Sequence, residues 1–231
     1  MKPEILEALQ KARAAKRPVA LATNLKSGQQ KVIFETESEG PLCLDVDMLA
    51  GAADMLKRDE SGTFQTGAGP VFVQVFNPPP RLVIVGAVHI AEPLARMATL
   101  AGYGTTLVDP RRAFAASQKF DGFEVSTDWP DEALAVLKPD TRTAVVTLTH
   151  DPKIDDPALE AALKSQAFYI GALGSRKTHA ARLARLKERG FDDTALARIH
   201  GPVGLAIGAL SPAEIAVSIV AEITKVRRGE D

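Results

Sequence analysis

The stretch that decides the fold is Arg81-Leu82-Val83-Ile84-Val85-Gly86-Ala87-Val88-His89-Ile90, followed by Ala91-Glu92-Pro93-Leu94-Ala95-Arg96-Met97-Ala98-Thr99-Leu100. The aliphatic run Leu82 to Val85 reads as a strand buried on both faces. Gly86 supplies a sharp turn, and an amphipathic helix follows it. A second strand, Gly104 to Val108, ends at Asp109. Strand, glycine turn, helix, strand and acid open a doubly wound dinucleotide-binding sheet. The glycine fingerprint is incomplete, however. G-x-G-x-x-G becomes Gly86-Ala87-Val88-His89-Ile90-Ala91, and only Ala91 is a permitted variant. The Val88 side chain stands where backbone would have to approach a pyrophosphate.

Upstream lies Asn77-Pro78-Pro79-Pro80. Three prolines remove helix and ladder donors, so this is a stiff connector and the expected domain boundary. It separates a small α+β unit, residues 1–77, from a Rossmann-like doubly wound unit, residues 78–231. In the first unit, Pro3 to Ala15 reads as a helix. Strands are expected at Val19–Thr23, Lys31–Thr36, Leu42–Val46, Thr63–Thr66 and Val71–Phe76. Asp47 is placed to cap a helix running through Lys57.

Downstream, short apolar runs alternate with helical patterns, which implies a parallel sheet covered on both faces. Strands are expected at Phe123–Val125, Ala144–Leu148 and Phe168–Ile170 besides the first two. Helices are expected at Asp131–Leu137, Pro157–Ser165, Lys177–Arg189 and Pro212–Arg228. Ser211-Pro212-Ala213-Glu214 is a capping box with proline at the first helical position. Leu210 and Ile215 are spaced for a hydrophobic staple.

Composition sets the outer bounds. Apolar residues make up 45% of 231, enough for a sizeable core, and the net charge of −1 argues against a nucleic-acid partner. A lone cysteine, Cys43, excludes an internal disulfide framework. No apolar run approaches the roughly 20 residues that span a bilayer, and no leader pattern is read, so a cytoplasmic protein without membrane insertion is expected.

In such a sheet, ligands bind outside the carboxyl ends of the strands. Gly86 and His89 follow the first strand; Asp109 and Arg111 follow the second. Thr149, His150, Asp151 and Lys153 follow the fourth, and Gly174, Ser175 and Arg176 the fifth. Four turns rich in donors and ionisable groups thus converge on one edge. Each residue has two readings. His89 either meets a ligand or bonds the backbone of a helix start. Asp109 either binds ribose hydroxyls or organises its own turn. Arg111 either meets a phosphate or is a solvated charge. His150 and Asp151 form a proton-transfer group or a turn before Pro152. Asp155 or Asp156 caps the helix expected at Pro157. Gly174-Ser175-Arg176 opens a helix whose free N–H groups suit an anion, or it is an ordinary cap. Cys43 is a reactive thiol or a small packed side chain.

Several segments together carry a resemblance. They are Pro78 to Ile90, Val108-Asp109-Pro110-Arg111, Thr149-His150-Asp151-Pro152-Lys153, Tyr169 to Arg176, and Gly201 to Ala209 with Ser211 to Ala216. In this order they resemble the XdhC/CoxI family, accessory proteins of molybdenum hydroxylases such as xanthine and carbon monoxide dehydrogenase. The resemblance covers about two thirds of the chain. It implies a protein that holds the molybdenum cofactor, or molybdopterin, assists its sulfuration and delivers it to a hydroxylase apo-subunit. The sulfur donor would be a cysteine desulfurase. It also implies a homodimer without turnover of its own. Gly86, Val88, His89, Asp109, Arg111, His150, Asp151, Gly174, Ser175 and Arg176 are then the cofactor-binding candidates. Longer members carry a Gly-Ser-Ser-Pro-Arg-like motif that is missing here. They also carry a Gly-Gly-Cys-Leu-Glu-like motif, of which Cys43-Leu44-Asp45 is a remnant. They usually have glycine where Val88 stands. The competing class is an NAD(P)-dependent oxidoreductase using the same crevice, and a third is a scaffold that binds only the hydroxylase.

Overall fold

The structure, a computed structural model, describes residues 2–115 and 120–229. The chain divides into two compact units, Met1–Pro78 and Pro79–Asp231.

The first unit orders α1 (Pro3–Ala14), β1 (Val19–Asn24), β2 (Gln30–Ile33), β3 (Ser38–Glu39), α2 (Val46–Arg58), β4 (Gly62–Phe64) and β5 (Val71–Phe76). Its antiparallel sheet runs β3-β2-β1-β5-β4. Side chains alternate along the central strand β1. Val19 and Leu21 pack with Ile5 and Leu9 of α1, whereas Ala20 and Ala22 pack with Ala52 and Leu56 of α2. The strand expected at Leu42–Val46 does not form. Leu42 donates its N–H to Gln30 and then turns into the α2-side core. Asp45, not Asp47, caps α2, because its carboxylate reaches the Met48 N–H three residues on.

The second unit orders β6 (Arg81–Val85), α3 (Ala91–Leu100), β7 (Gly104–Val108), α4 (Arg112–Ala115), β8 (Glu124–Ser126), α5 (Pro130–Leu137), β9 (Thr143–Thr147) and α6 (Pro152–Lys164). There follow β10 (Tyr169–Ala172), α7 (Arg176–Glu188), α8 (Asp193–Leu196), β11 (Ile199–His200) and α9 (Pro212–Arg228). Every pairing is parallel, in the order β11-β10-β9-β6-β7-β8. The chain builds outward from β6 to one edge, returns to β9, and builds outward to the other. That is the Rossmann strand order, with its switch point between β6 and β9. Leu82 and Ile84 pack toward α3 and α9, and Val83 and Val85 toward α5 and α6. Burial on both faces explains why these strands are unbroken apolar runs.

Two local expectations fail. The sixth helix starts at Pro152 rather than Pro157, so Pro157 sits inside it, and Asp151 rather than Asp155 or Asp156 is the cap. Asp156, next to the proline, is fully buried and receives both forks of Arg185 at 2.7 and 2.9 Å. The capping box of α9 forms as expected, but its hydrophobic staple does not. Leu210 is 89% exposed, while Ile219 and Ile223 fill the core. Among the described residues, no helix is long and apolar enough to cross a membrane.

Candidate functional site

The carboxyl ends of β6, β7, β9 and β10 are tied to one another through named side chains. Gly86, after β6, has φ +109°, and a Cβ there would collide with the methyl group of Thr149 after β9. Its lack of a side chain therefore admits a neighbouring loop. Asp109, after β7, is fully buried. Its Oδ2 accepts the Ala87 N–H at 2.7 Å and Arg111 Nη2 at 2.7 Å. Its Oδ1 accepts the Arg111 N–H and Nε, both at 2.9 Å. A carboxylate offers about four acceptor positions, so this one is filled from within the protein. Burial pushes its pKa up, but Arg111 and the two backbone N–H groups outweigh that and hold the carboxyl below the usual range.

The loop after β9 is organised by Asp155. Its carboxylate accepts the Thr149 hydroxyl at 2.6 Å, the Thr149 N–H at 3.3 Å and the His150 N–H at 3.0 Å. These bonds hold His150 at φ +63°, a left-handed conformation that a side chain disfavours. His150 itself is exposed, and Asp151 is half-buried, its side chain spent on the Lys153 N–H. Burial dominates at Asp155 and raises its pKa against the opposing effects of Thr149 and Arg182.

Arg182, in the middle of α7, faces Asp155 at 3.7 Å with both side chains 2% exposed. Its Nη2 donates to the Leu173 carbonyl at 2.8 Å, just ahead of Gly174. Its Nε and Nη1 are buried and have no partner among the described residues. The Thr147 hydroxyl oxygen, at the end of β9, is likewise buried and unpartnered among them. Burial lowers the Arg182 pKa, with Asp155 and Asp156 acting against it; an arginine remains charged regardless.

Ser175 caps α7 through the Thr178 N–H at 3.1 Å. Gly174 (φ +149°) lies against Thr178 and close to Arg182 Nη2. Arg176 is exposed, as is His89. Val88 is half-buried and packs with the core beneath α3 and α9. Cys43 is exposed, in the first unit. Among the described residues, no cluster of three His, Cys, Asp or Glu side chains could hold a metal ion. The structure thus joins Gly86, Asp109 and Arg111 to the Thr149–Asp151 loop and to the α7 terminus. It leaves His89, His150 and Arg176 on the surface of that edge.

Sequence reasoning missed Arg182, which lies in a helix rich in Arg and Lys and carries no mark of burial. The available signal was its complement: Asp155 and Asp156, on a helix otherwise facing the core, need cations opposite them. It also missed a polar group at the outer edge. Tyr169 of β10 stacks on His200 of β11, with ring centroids 4.6 Å apart and planes 21° apart. Glu222 of α9 accepts the Tyr169 hydroxyl and the Gly204 N–H, the latter at 2.8 Å.

Comparison with known proteins agrees with this architecture. The family described as the XdhC Rossmann domain matches residues 82–223. An Escherichia coli protein named molybdenum cofactor insertion chaperone PaoD is 34% identical over 152 residues, covering 66% of this chain and 42% of that protein. A Bacillus subtilis protein, named as a probable subunit of xanthine dehydrogenase, is 34% identical over 159 residues, covering 68% of this chain and 46% of that protein. The chain thus spans less than half the length of these curated relatives. A crystal structure from Bacillus halodurans, described as a xanthine dehydrogenase, shares the fold with a TM-score of 0.74 at 24% identity, covering 98% of this chain and 67% of that one. With its six-stranded parallel sheet and its match over residues 82–223, the chain belongs to the XdhC family.

Proposed function

We propose that the chain binds the molybdenum cofactor at the carboxyl edge of its parallel sheet and serves the maturation of a molybdenum hydroxylase. The observation that carries this is Arg182. A buried guanidinium, two of its nitrogens unpartnered among the described residues, lies beneath the loop that opens α7. Buried donors without partners are costly, and an anion is the natural partner for these. The residues present fit the cofactor, whose terminal phosphate is anionic. The N-terminus of α7 offers a positive dipole end, with Ser175 capping it and Arg176 exposed beside it. Arg182, Ser175 and Arg176 would hold the phosphate. His89 and His150 stand exposed at the same edge for the pterin. When bound, the cofactor supplies the molybdenum centre that the hydroxylase uses; this chain's residues bind, orient and shield it.

The name of the E. coli relative supports the same reading. Sulfuration while the cofactor is held, a cysteine desulfurase as sulfur donor, a homodimeric chaperone, transfer to the hydroxylase and a cytoplasmic setting complete the proposal. The nicotinamide alternative is weakened by Asp109, whose carboxylate is filled by Ala87 and Arg111 rather than left for a ribose.

The test is to titrate the purified protein separately with molybdenum cofactor and with NAD(H) or NADP(H). Cofactor binding is expected, weakened about tenfold in Arg182→Met and in the surface variant Arg176→Ala, on the order of one charged hydrogen bond each. Tight nucleotide binding without cofactor binding would overturn the reading. Binding of neither would favour a scaffold that meets only the hydroxylase.

A further inference from the structure

Two acids stand side by side near the start of α6 and face two arginines, three residues apart, on α7. The two pairs differ. Asp156 closes on Arg185 with bonds of 2.7 and 2.9 Å. Asp155 stops 3.7 Å from Arg182, about 1 Å beyond a charge-assisted hydrogen bond. Burial alone would favour the reverse. Arg185 is about one-third exposed, whereas Arg182 and Asp155 are each 2% exposed. Little solvent screens a buried pair, so it gains most from contact.

The Asp155 carboxylate is bonded instead to the loop after β9. Its Oδ1 accepts the Thr149 hydroxyl at 2.6 Å and the Thr149 N–H at 3.3 Å, and its Oδ2 accepts the His150 N–H at 3.0 Å. Three donors around it suit an ionised carboxylate. Arg182 spends Nη2 on the Leu173 carbonyl at 2.8 Å, and its Nε and Nη1 have no partner among the described residues. The loop carries a cost of its own. His150 is exposed and stands at φ +63°, a conformation its side chain disfavours. One carboxylate thus has two claimants, a strained surface loop and a buried guanidinium, and only the loop has it in hydrogen-bond contact.

We propose that Asp155 is a positioning residue that regulates the anion site by competing for Arg182. While the Thr149–His150 loop holds the carboxylate, the Arg182 donors are open to a phosphate group. When the loop lets go, the carboxylate closes on Arg182, as Asp156 does on Arg185, and displaces the phosphate. This rests on the cofactor reading above and adds to it a means of discharge worked from an exposed loop. No covalent or redox step is involved.

Two variants of the full chain should shift binding in opposite directions. Asp155→Asn removes the competing charge, and its carbonyl oxygen can still accept from Thr149. Affinity for inorganic phosphate should rise about tenfold, and that for the cofactor with it. The same variant gives up the His150 N–H bond, so a merely structural Asp155 would make binding weaker instead. Thr149→Val keeps a methyl against Gly86 but removes the hydroxyl that bonds Asp155 and accepts the Asp151 N–H. Freed from the loop, the carboxylate should lower phosphate affinity about threefold or more. Neither substitution should move phosphate affinity in an Arg182→Met background. Coupling is reciprocal, so phosphate should slow amide hydrogen exchange at His150 in the wild type and not in Asp155→Asn. Falling or unchanged affinity in a folded Asp155→Asn would overturn the proposal and leave the cofactor reading standing. Where that variant does not fold, unshifted affinity in Thr149→Val would do the same. A wild type that binds neither phosphate nor cofactor would overturn that reading, and this one with it.

Discussion

The Asp109 carboxylate accepts the Ala87 N–H at 2.7 Å, so the acid that ends β7 closes the turn that ends β6. The same carboxylate receives the Arg111 guanidinium. Truncation by Asp109→Ala should destabilise the second unit by about 2 to 4 kcal/mol, since it strands a buried N–H and an arginine. The exposed third of Arg111 moderates the cost through solvent screening. Urea unfolding followed by circular dichroism measures it. A loss below about 0.5 kcal/mol, the range of ordinary surface substitutions, would mean that the turn holds its shape without Asp109.

The pH dependence of stability follows from the same group. Its folded pKa is held below the ordinary 3.8, so the unfolded chain binds the proton more readily. The stabilisation is therefore complete above the unfolded pKa and disappears as pH falls through the lower folded value. Acid titration of Asp109→Asn should show a shallower fall in stability below about pH 4 than the wild type. Parallel curves would exclude Asp109 as a source of the acid sensitivity.

Gly86 is fixed by geometry on two counts, its φ of +109° and the methyl of Thr149. Gly86→Ala should cost about 2 to 3 kcal/mol, part strain and part collision. Thr149→Ser removes the methyl but keeps the hydroxyl that bonds Asp155. The double variant should recover about 1 kcal/mol of the loss, a coupling that a double-mutant cycle reads directly. Additive losses would show that the backbone conformation alone, not the approach of the β9 loop, demands glycine.

The layered sheet was legible because burial on both faces leaves its mark as unbroken apolar runs at Leu82–Val85 and Ala144–Leu148. The cap of α9 was legible because Ser211 and Glu214 act within one turn. The start of α6 was not, since nothing local shows that the helix runs through Pro157, and the partner of Asp156 beside it is Arg185, 29 residues away. Of the candidate site, the strand-end positions could be read and the partners could not. Nothing local distinguishes Arg182, buried beneath its own helix start, from the exposed Arg176. His200 and Glu222 lie 22 residues apart on different elements, so only the fold unites them.

The staple that does not form gives a contrast between two leucine-sized side chains. Leu210 is 89% exposed, whereas Ile219 is fully buried against the sheet. Leu210→Ala should leave stability within about 0.5 kcal/mol of the wild type. Ile219→Ala should cost about 2 to 5 kcal/mol through lost burial and a cavity. Thermal unfolding of the two variants side by side checks this, and a substantial loss from Leu210→Ala would mean that the side chain is covered in solution.

Restoring the fingerprint should not restore a nucleotide. Val88→Gly rebuilds the second glycine of the dinucleotide motif, yet two features oppose binding. The Val88 side chain packs with the core beneath α3 and α9, so its removal opens space there and loosens the turn rather than clearing a path above it. The Asp109 carboxylate, which would have to hold ribose hydroxyls, already carries the Ala87 N–H and Arg111. Val88→Gly should therefore lose about 1 to 3 kcal/mol of stability, from apolar burial and glycine entropy. It should gain no thermal stabilisation from NAD(H) or NADP(H). Micromolar binding by Val88→Gly would show instead that Asp109 exchanges Arg111 for a ribose. In that case the further change Arg111→Ala, by freeing two of the four acceptor positions, should tighten nucleotide binding still more.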